Sequence, residues 1–289
     1  MKLEIFGVKL PEIKKGDNIG ELVCENFDLK DGDIVVVTSK IVSKAEGRFV
    51  KISEIKPTKD AINLAKKAGK PPELVELILR NSRVVGIIPV HDLVSRGLFD
   101  PQGLSKNPEL ALKVLEKDKS LLITLVNSSI YTDAGIDASN VPEGYFALPP
   151  KDPMRSAEAI REGILNHSGK RVAVLISDTE VFLNGSIEVC RGYSGICPLK
   201  RGFGEPDIYG KPKWGGCEAL IHEICCAASL IMGQSHEGIP VVVLRGLKYE
   251  DDCKIRSISL ENIFRAFIKE NIKFIGAGKI MRFVFDFLK

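Results

Sequence analysis

Three clusters of oxygen-bearing side chains stand where predicted strands or helices end in this 289-residue chain. In chain order they are Asp133, Asp137 and Asn140, then Asp178 and Thr179, then Gln234, His236 and Glu237. Mg²⁺ and Mn²⁺ prefer hard oxygen ligands, usually one or two carboxylates completed by water and substrate phosphates. Asp137 and Asp178 are therefore the candidate catalytic and metal-binding pair, and Thr179 and Gln234 are candidate neutral ligands. An acid after an apolar strand is also a common turn former, so both interpretations remain open on these residues alone.

The strands that would position these clusters are apolar on both faces. Residues 33–38 (DIVVVT) predict a central strand, because both of its faces are β-branched or apolar. Residues 171–176 predict another strand, which we expect to end at Ser177-Asp178-Thr179, and 239–244 predict a third. In α/β sheets, ligands gather at the carboxyl ends of such strands. The predicted class is α/β (mixed α+β), with a mixed-sheet core and surrounding helices.

Helix boundaries follow from capping residues and prolines. We predict helices from Thr58 to Ala68, from Pro71-Pro72 to Asn81, after Asn107-Pro108, from Ser156 to His167, and from Glu218 to Met232. Residues 97–119 indicate a surface excursion, whereas 180–216 are Gly-rich and are expected to be irregular or β-rich. From Ser259 the tail has a helical period, and its last element, MRFVFDFL, would expose aromatic residues.

Composition limits the possible partners and the compartment. Hydrophobic residues make up 44% and charged residues 27% of the chain, and the net charge is only +3. This balance gives no reason to expect a nucleic-acid or membrane partner. The N-terminus has no signal-peptide core, so we expect a cytoplasmic protein. Seven cysteines without CxxC spacing indicate reduced thiols, most of them structural.

Seven ordered sequence blocks resemble one enzyme family. They are LPEIKKGD (10–17), TSKIVSKAEGR (38–48), AGIDASNVPEG (134–144), LPPKDP (148–153), GKRVAVLISDT (169–179), DIYGKP (207–212) and MGQSHEGIPVVVLRG (232–246). Together they resemble the coenzyme F420 γ-glutamyl ligase family, and the AGIDASN block is the most specific of them. The resemblance implies that GTP activates a carboxylate as an acyl phosphate, which the amine of glutamate then attacks.

The resemblance also assigns expected roles to residues. Asp137, Asp178, Thr179 and Gln234 fall on metal-binding positions. The nucleotide-contacting positions are Leu10, Pro11, Glu12, Ile13, Ser39, Lys40, Lys44, Asn140, Met232, Gly233, Gln234, Ser235, His236, Glu237, Gly238 and Ile239. The implied cofactors are GTP, with ATP as the alternative, Mg²⁺ or Mn²⁺, and K⁺ as a further cation. The implied partners are a small-molecule acid acceptor and glutamate, and a second copy of the chain in a homodimer. Lys44 suits a phosphate-facing cation, although an exposed lysine is by default a solvated charge.

The blocks also divide the chain. Residues 1–96 form an N-terminal α/β part with nucleotide-contacting loops, 97–120 a surface insertion, 121–250 the metal- and nucleotide-binding ligase core, and 251–289 a divergent C-terminal tail. Where the family has Gly-Arg-Pro-Phe-Arg after its Thr-Asp-Thr, this chain has Glu180-Val181-Phe182-Leu183-Asn184-Gly185, and Arg191 is the nearest arginine. Arg191, Lys200 or Arg201 could replace the lost charge if the segment 185–204 moves.

This departure keeps three functions open. The first is the family's glutamate ligase activity. The second is that of a paralogue that ligates a different acid. The third is that of a nucleotide-binding regulatory protein without turnover.

Overall fold

The computed structural model of the chain describes residues 2–127, 129–182, 185–251, 253, 260–279 and 281–282. The strands are β1 (Glu4–Val8), β2 (Ile34–Thr38), β3 (Phe49–Lys51), β4 (Arg83–Ile88), β5 (Leu121–Val126), β6 (Ser129–Thr132), β7 (Tyr145–Ala147), β8 (Ala173–Phe182), β9 (Gly185–Ser194) and β10 (Val241–Arg245). The α-helices are α1 (Ile19–Asn26), α2 (Ser39–Ala45), α3 (Lys59–Ala68), α4 (Pro72–Asn81), α5 (Val90–Ser95), α6 (Pro101–Leu104), α7 (Pro108–Lys117), α8 (Pro153–Ser168), α9 (Leu220–Met232) and α10 (Leu260–Ile275). Short 3₁₀ turns lie at Ile52–Glu54 and Asp133–Gly135.

The main sheet has the strand order β1-β10-β2-β8-β9, with β2 at its centre. Strand β2 pairs antiparallel with β10 and parallel with β8, so the sheet is mixed. Residues 34–37 of β2 are fully buried, as the prediction of a central strand requires. The predicted mixed α/β class is therefore confirmed. The sheet takes strands both from residues 1–96 and from 121–250, so these two stretches interleave in one sheet.

Helices cover both faces of this sheet. Val23 of α1 and Ile164 of α8 pack with Val35, Val37 and Val174 on one face. On the other face, the apolar side of α9 packs against Ile34, Leu175 and Val242. Alternate residues of each strand therefore pack into cores on opposite faces of the sheet, which explains why these strands lack a polar face.

A third core lies between the second sheet and helices α3 and α4. The sheet β4-β5-β6 packs on α3 and α4 around Val75, Ile78 and Leu122, all fully buried. The helices α5, α6 and α7 lie within the predicted excursion 97–120 or just before it. None of the helices in the described part of the chain is long and apolar enough to cross a bilayer.

A tight turn after β6 leads to Asp137. Asp133, Ala134 and Gly135 adopt positive φ values of 48°, 56° and 69°. Such angles are uncommon for non-glycine residues, so contacts must hold the turn in place. Asp133 Oδ1 accepts the backbone amide of Leu122 at 3.0 Å, and its Oδ2 accepts Lys70 Nζ at 3.0 Å.

Most predicted helix starts are confirmed. Thr58 caps α3, Pro72 opens α4 and Asn107 caps α7. The predicted cap at Ser156 is wrong, because the cap of α8 is Asp152, four residues earlier, which accepts the backbone amide of Arg155 at 3.2 Å. Ser156 lies inside the helix and donates a hydrogen bond to Glu46 at 2.6 Å.

The cysteines follow the prediction only in part. Cys225 is fully buried in α9 and Cys226 lies beside it, as expected for structural thiols. Cys197 and Cys253 instead form a disulfide, so the prediction of reduced thiols is wrong for these two. They are 56 residues apart in sequence, and only the fold brings them together.

The helical period of the tail is confirmed as far as α10, which spans Leu260–Ile275. Its residues Phe267 and Ile272 are exposed. The predicted last element, at 281–288, lies outside the described residues except for Met281 and Arg282.

The role of Lys70 in holding the turn at Asp133 can be tested by substitution. The Lys70 side chain is fully buried, and its Nζ also donates to Asp118 Oδ1 at 2.6 Å and to the carbonyl oxygen of Ser120 at 2.7 Å. Lys70→Met leaves the buried Asp133 carboxylate without its cation, so we expect a loss of about 3–5 kcal/mol in the free energy of unfolding. Urea denaturation measures this change. Lys66→Met on the exposed side of α3 is the matched control and should change stability by less than about 0.5 kcal/mol. Equal effects of the two substitutions would contradict this role.

Candidate active site

The carboxyl ends of three strands meet at one edge of the main sheet. Strand β10 runs antiparallel to β1 and β2, and β8 runs parallel to β2, so β1, β2 and β8 all end on the same side. The loop after β1, the start of α2 and the loop between α9 and β10 line a cleft of about 410 Å³ there. This is the position at which α/β sheets bind ligands.

Every residue that the sequence predicts for the site lines this cleft. The lining includes Leu10, Pro11, Glu12, Ile13, Ser39, Lys40, Lys44, Asp137, Asn140, Asp178, Thr179, Met232, Gly233, Gln234, Ser235, His236, Glu237, Gly238 and Ile239. Six further lining residues were not predicted: Thr38, Ile41, Ser139, Ser177, Glu188 and Pro240. Segments far apart in sequence are thus brought to one place, while their individual roles stay predictions.

The predicted end of the strand at Ile176 is wrong, because β8 continues to Phe182 and forms a hairpin with β9. The register shifts between Ile176 and Ser177, where Ile176 pairs with Gly192 but Ser177 pairs with Cys190. One extra residue, Arg191, therefore lies on the β9 side as a β-bulge. The bulge bends the hairpin at the point where Asp178 meets the cleft.

Asp178 is surrounded by protein and reaches the cleft with only part of its side chain. Its Oδ1 accepts Ser39 Oγ at 2.9 Å and the backbone amide of Thr179 at 3.2 Å. Burial raises the pKa of Asp178 to about 6, although the positive charge of Arg191 and the Ser39 hydrogen bond oppose this shift. Because ionisation of this carboxylate is costly, a nearby cation would stabilise its charged form.

Asp137 has the opposite balance. Its Oδ2 accepts Lys40 Nζ at 2.6 Å and Ser139 Oγ at 2.5 Å, and its Oδ1 accepts the backbone amide of Ser139 at 2.8 Å. Burial alone would raise the pKa of Asp137, but Lys40 and Ser139 outweigh it and lower the pKa below its usual value. Asp137 is therefore ionised and already neutralised by Lys40.

Thr179, Glu188 and Gln234 form a hydrogen-bonded cluster beside Asp178. Thr179 Oγ1 donates to Glu188 Oε1 at 2.6 Å, and Gln234 Nε2 donates to the same oxygen at 2.9 Å. Thr179 Oγ1 and Gln234 Oε1 are 2.8 Å apart. Sequence reasoning missed Glu188, although it lies directly opposite Thr179 in the hairpin register.

The loop after α9 closes the cleft on the other side. Gly233 ends the helix at φ 67°, and a Cβ on this residue would lie 2.1 Å from the Glu237 side chain, so the turn requires glycine. The carboxylate of Glu237 accepts the backbone amide of Ser235 at 2.9 Å, and the carbonyl oxygen of Ser235 accepts Asn140 Nδ2 at 3.3 Å. The loop is thus connected to the AGIDASN segment.

Lys44 is not an ordinary solvated lysine. Its side chain is only 16% exposed, and its Nζ contacts Glu12 Oε1 at 2.7 Å, whereas the Glu12 side chain is 77% exposed. The cation is therefore held in the cleft wall by a counter-ion that can turn toward solvent. A phosphate oxygen could take the place of this counter-ion.

Arg191 does not line the cleft. Its side chain is 8% exposed, and it donates to Glu180 at 2.7 Å and to the carbonyl oxygen of Ile130 at 2.8 Å. The guanidinium also stacks 3.5 Å from the Tyr131 ring centroid. The idea that Arg191 moves with a mobile segment is thus not supported by its position in β9. Arg201, the second candidate, is paired with Glu250.

The oxygen donors fit a divalent metal of the kind that the family implies. Asp178 is a buried carboxylate with no lysine or arginine in direct contact among the described residues. Within those same residues, no three His, Cys, Asp or Glu side chains converge as a metal-binding group. A cation here would therefore depend on few carboxylates, on the neutral oxygens of Thr179 and Gln234, and on phosphate oxygens, as Mg²⁺ sites commonly do.

Comparison with known proteins identifies the family. Residues 7–246 match the family model described as F420-0:Gamma-glutamyl ligase. The chain belongs to this family. It is 36% identical over 269 residues to the coenzyme F420:L-glutamate ligase of Archaeoglobus fulgidus, covering 92% of this chain and 94% of that protein. It is 33% identical over 261 residues to the enzyme of the same name from Methanosarcina mazei, covering 89% and 91% of the two chains. The predicted family and the predicted ligase class are confirmed.

The similarity also reaches into the C-terminal segment. An alignment that covers 92% of this chain must include residues beyond 250. The sequence blocks by themselves end at 246.

The burial of Asp178 predicts how stability depends on pH. The pKa of about 6 in the folded protein lies above the value of about 3.9 in an unfolded chain, so ionisation of Asp178 destabilises the fold as pH rises through this window. Asp178→Asn removes that cost. Without divalent metal, we expect the variant to be more stable than the wild type by about 1–2 kcal/mol at pH 7.5, a value that allows for contact with the cleft, and to be equal to it at pH 4. Denaturant unfolding at both pH values measures the difference, and a variant less stable at pH 7.5 would contradict the assignment.

Proposed function

We propose that this ligase forms an amide bond between the α-amine of L-glutamate and a carboxylate acceptor, using GTP and a divalent metal, as in glutamylation of a coenzyme F420 precursor. The observation that carries the proposal is that the whole predicted nucleotide and metal set lines one cleft at the converging strand ends. The relatives named coenzyme F420:L-glutamate ligase support the glutamate and F420 parts of the proposal.

The cleft offers each chemical requirement of phosphoryl transfer. Such reactions depend mainly on positioning and on neutralising phosphate charge. Lys44 and Lys40 would place positive charge on the nucleotide side, once phosphate replaces Glu12 as the partner of Lys44. A divalent cation, held by Asp137, Asp178, Thr179 and Gln234, would neutralise further charge on the transferred group.

The loop 233–238 and Asn140 would fix the nucleotide's orientation, because they are already tied together through Ser235. The side of the cleft that faces solvent is its outer wall, where Glu12 and His236 are exposed. Lys40 and Lys44 on the inner wall would bind the reacting phosphates, and the two acids would enter past the outer wall.

One observation favours a different acceptor acid. The family's two arginines after Thr-Asp-Thr are absent, and Arg191 is engaged by Glu180, Ile130 and Tyr131. A less anionic acceptor would suit this site, so a paralogue that ligates a different acid is the second candidate. GTP rather than ATP, K⁺ as a further cation, a homodimer and a cytoplasmic location stay predictions, as does the third candidate, a regulatory protein without turnover.

The decisive assay incubates the protein with Mg²⁺ or Mn²⁺, GTP or ATP, glutamate and candidate acids. Phosphate release and product mass are measured together. The proposal expects phosphate release only when acid and amine are both present, and a product heavier by one glutamyl residue. Turnover with another acid would support the paralogue, and nucleotide binding without turnover under any combination would support the regulatory protein.

Asp178 should be required for turnover although it is not required for folding. Asp178→Asn removes the buried carboxylate at the centre of the proposed metal site, so we expect loss of activity by at least about 10³-fold. Circular dichroism verifies the fold, and Asp60→Asn on the exposed start of α3 is the matched control with wild-type activity expected. Near-normal turnover by Asp178→Asn would contradict the proposed centre.

Lys44 should contribute to nucleotide binding. Removing a charge-assisted contact to phosphate costs about 1–3 kcal/mol, so Lys44→Ala should weaken GTP affinity by about 5- to 150-fold. Calorimetry measures this affinity, and Lys66→Ala on α3 is the control that should bind as the wild type does. Unchanged affinity of Lys44→Ala would return this residue to a structural pairing with Glu12.

A further inference from the structure

Glu188 is a buried carboxylate that the sequence analysis did not assign to any role. Its side chain lies in the wall of the cleft, and the residue is only 5% exposed. Its backbone is held on both sides, because it pairs with Thr179 across the hairpin and its carbonyl oxygen accepts Cys226 Sγ at 3.2 Å. The carboxylate is therefore fixed beside the proposed metal ligands.

One oxygen of Glu188 receives the protons of two neighbours. Glu188 Oε1 accepts both Thr179 Oγ1, at 2.6 Å, and Gln234 Nε2, at 2.9 Å. A threonine hydroxyl has one proton to donate, and an ionised carboxylate can only accept. Of the two contacts that Thr179 Oγ1 makes, the one to Glu188 Oε1 is shorter, 2.6 Å against 2.8 Å to Gln234 Oε1, so we assign the hydroxyl proton to Glu188.

This arrangement determines which atoms remain for a ligand. The amide nitrogen of Gln234 is held by Glu188, so its carbonyl oxygen Oε1 is directed away from Glu188. Thr179 Oγ1 likewise keeps its lone pairs free. Both neutral oxygens are therefore presented with electron pairs and without protons, which is the form in which they can bind a cation.

The separation of these two oxygens fits a single small cation. Thr179 Oγ1 and Gln234 Oε1 are 2.8 Å apart. In an octahedral Mg²⁺ site with ligands at 2.0–2.1 Å, adjacent ligand oxygens lie about 2.9 Å apart. The lone pairs of the two oxygens repel each other at this distance, and a cation bound to both would offset that repulsion.

We propose that Glu188 is a positioning residue, which accepts the protons of Thr179 and Gln234 so that their two oxygens bind one divalent cation as adjacent ligands. The proposal rests on the metal dependence of the proposed function and adds a residue that acts through the ligands rather than on the metal. Partners of this type orient the ligands of many metal sites, and their loss typically costs 10- to 100-fold in metal affinity.

Mn²⁺ binding tests the proposal without any need for turnover. The electron paramagnetic resonance signal of free Mn²⁺ is followed during titration of the full-length protein without nucleotide. We expect Glu188→Gln, which keeps the shape but adds competing donors, to weaken Mn²⁺ affinity by about 10- to 100-fold. Glu223→Gln, the same substitution on the exposed side of α9, is the matched control and should bind as the wild type does.

A positioning role predicts that the effect depends on Gln234. In a Gln234→Leu background, the further loss caused by Glu188→Gln should fall by at least about threefold, because one of the two oriented ligands is already gone. An undiminished loss would show that Glu188 acts on the cation directly, and would overturn the positioning role.

Folding and metal binding are separated by the controls. Thermal unfolding without Mn²⁺ verifies that Glu188→Gln is folded, and Glu188→Asp, which withdraws the carboxylate by one methylene group, replaces it if it is not. Wild-type affinity in either folded variant would overturn the proposal. No Mn²⁺ binding by the wild type, with or without GTP, would instead contradict the metal dependence of the proposed function.

Discussion

The carboxylate of Asp178 is enclosed by protein one residue beyond the last pairing of β8 with β2, and the site is arranged around its charge. Burial raises its pKa to about 6, although Ser39, the backbone amide of Thr179 and the more distant Arg191 all favour the ionised form. The bulge at Arg191 bends the hairpin at this point. Strand segments that are apolar on both faces are thus followed by polar residues. A bound cation would offset the free-energy cost of burying the charge of Asp178.

The other charged side chains of the cleft are paired with protein groups that a ligand could displace. Lys44 is mostly buried while its partner Glu12 is mostly exposed, and Lys40 holds Asp137 and the carbonyl oxygen of Ser139. A bound ligand would therefore take the place of these partners, so the charged side chains of the cleft are not unpaired before it binds. Lys70 and Asp133 sit one layer behind, where they hold the turn that leads to Asp137. Arg191 and Glu180 likewise connect the hairpin of β8 and β9 to β6, because Glu180 also accepts Thr132 Oγ1 at 2.7 Å.

Much of the fold could be predicted from local chemistry, and the failures have physical reasons. The strand at 33–38 and the starts of α3, α4 and α7 follow from burial on both faces and from capping. At α8 two residues were able to cap, and Asp152 before Pro153 prevailed over Ser156, because proline is favoured in the first turn of a helix. The disulfide joins cysteines that only the fold brings together.

The residues assigned from the family blocks all line one cleft, whereas the hairpin of β8 and β9 was not predicted. Asn184-Gly185 is a strong hairpin signal, but as the two central turn residues it would place Glu188 opposite Val181. The observed pairing of Phe182 with Gly185 shifts the register and places Glu188 opposite Thr179. The Gly-rich composition of 180–216 predicted an irregular or β-rich segment, and β9 confirms the second alternative for 185–194. The position of Arg191 depends on a bulge, which a residue pattern with period two cannot reveal.

One measurement addresses the central claim directly: crystallography of the protein with Mn²⁺ and a non-hydrolysable GTP analogue, with anomalous diffraction recorded to locate manganese. We expect manganese within about 2.3 Å of oxygens of Asp137, Asp178, Thr179 and Gln234, with nucleotide phosphates between the metal and Lys44. Manganese and nucleotide bound elsewhere, with Asp178 still bonded only to Ser39 and Thr179, would contradict the claim that this cleft is the ligase centre.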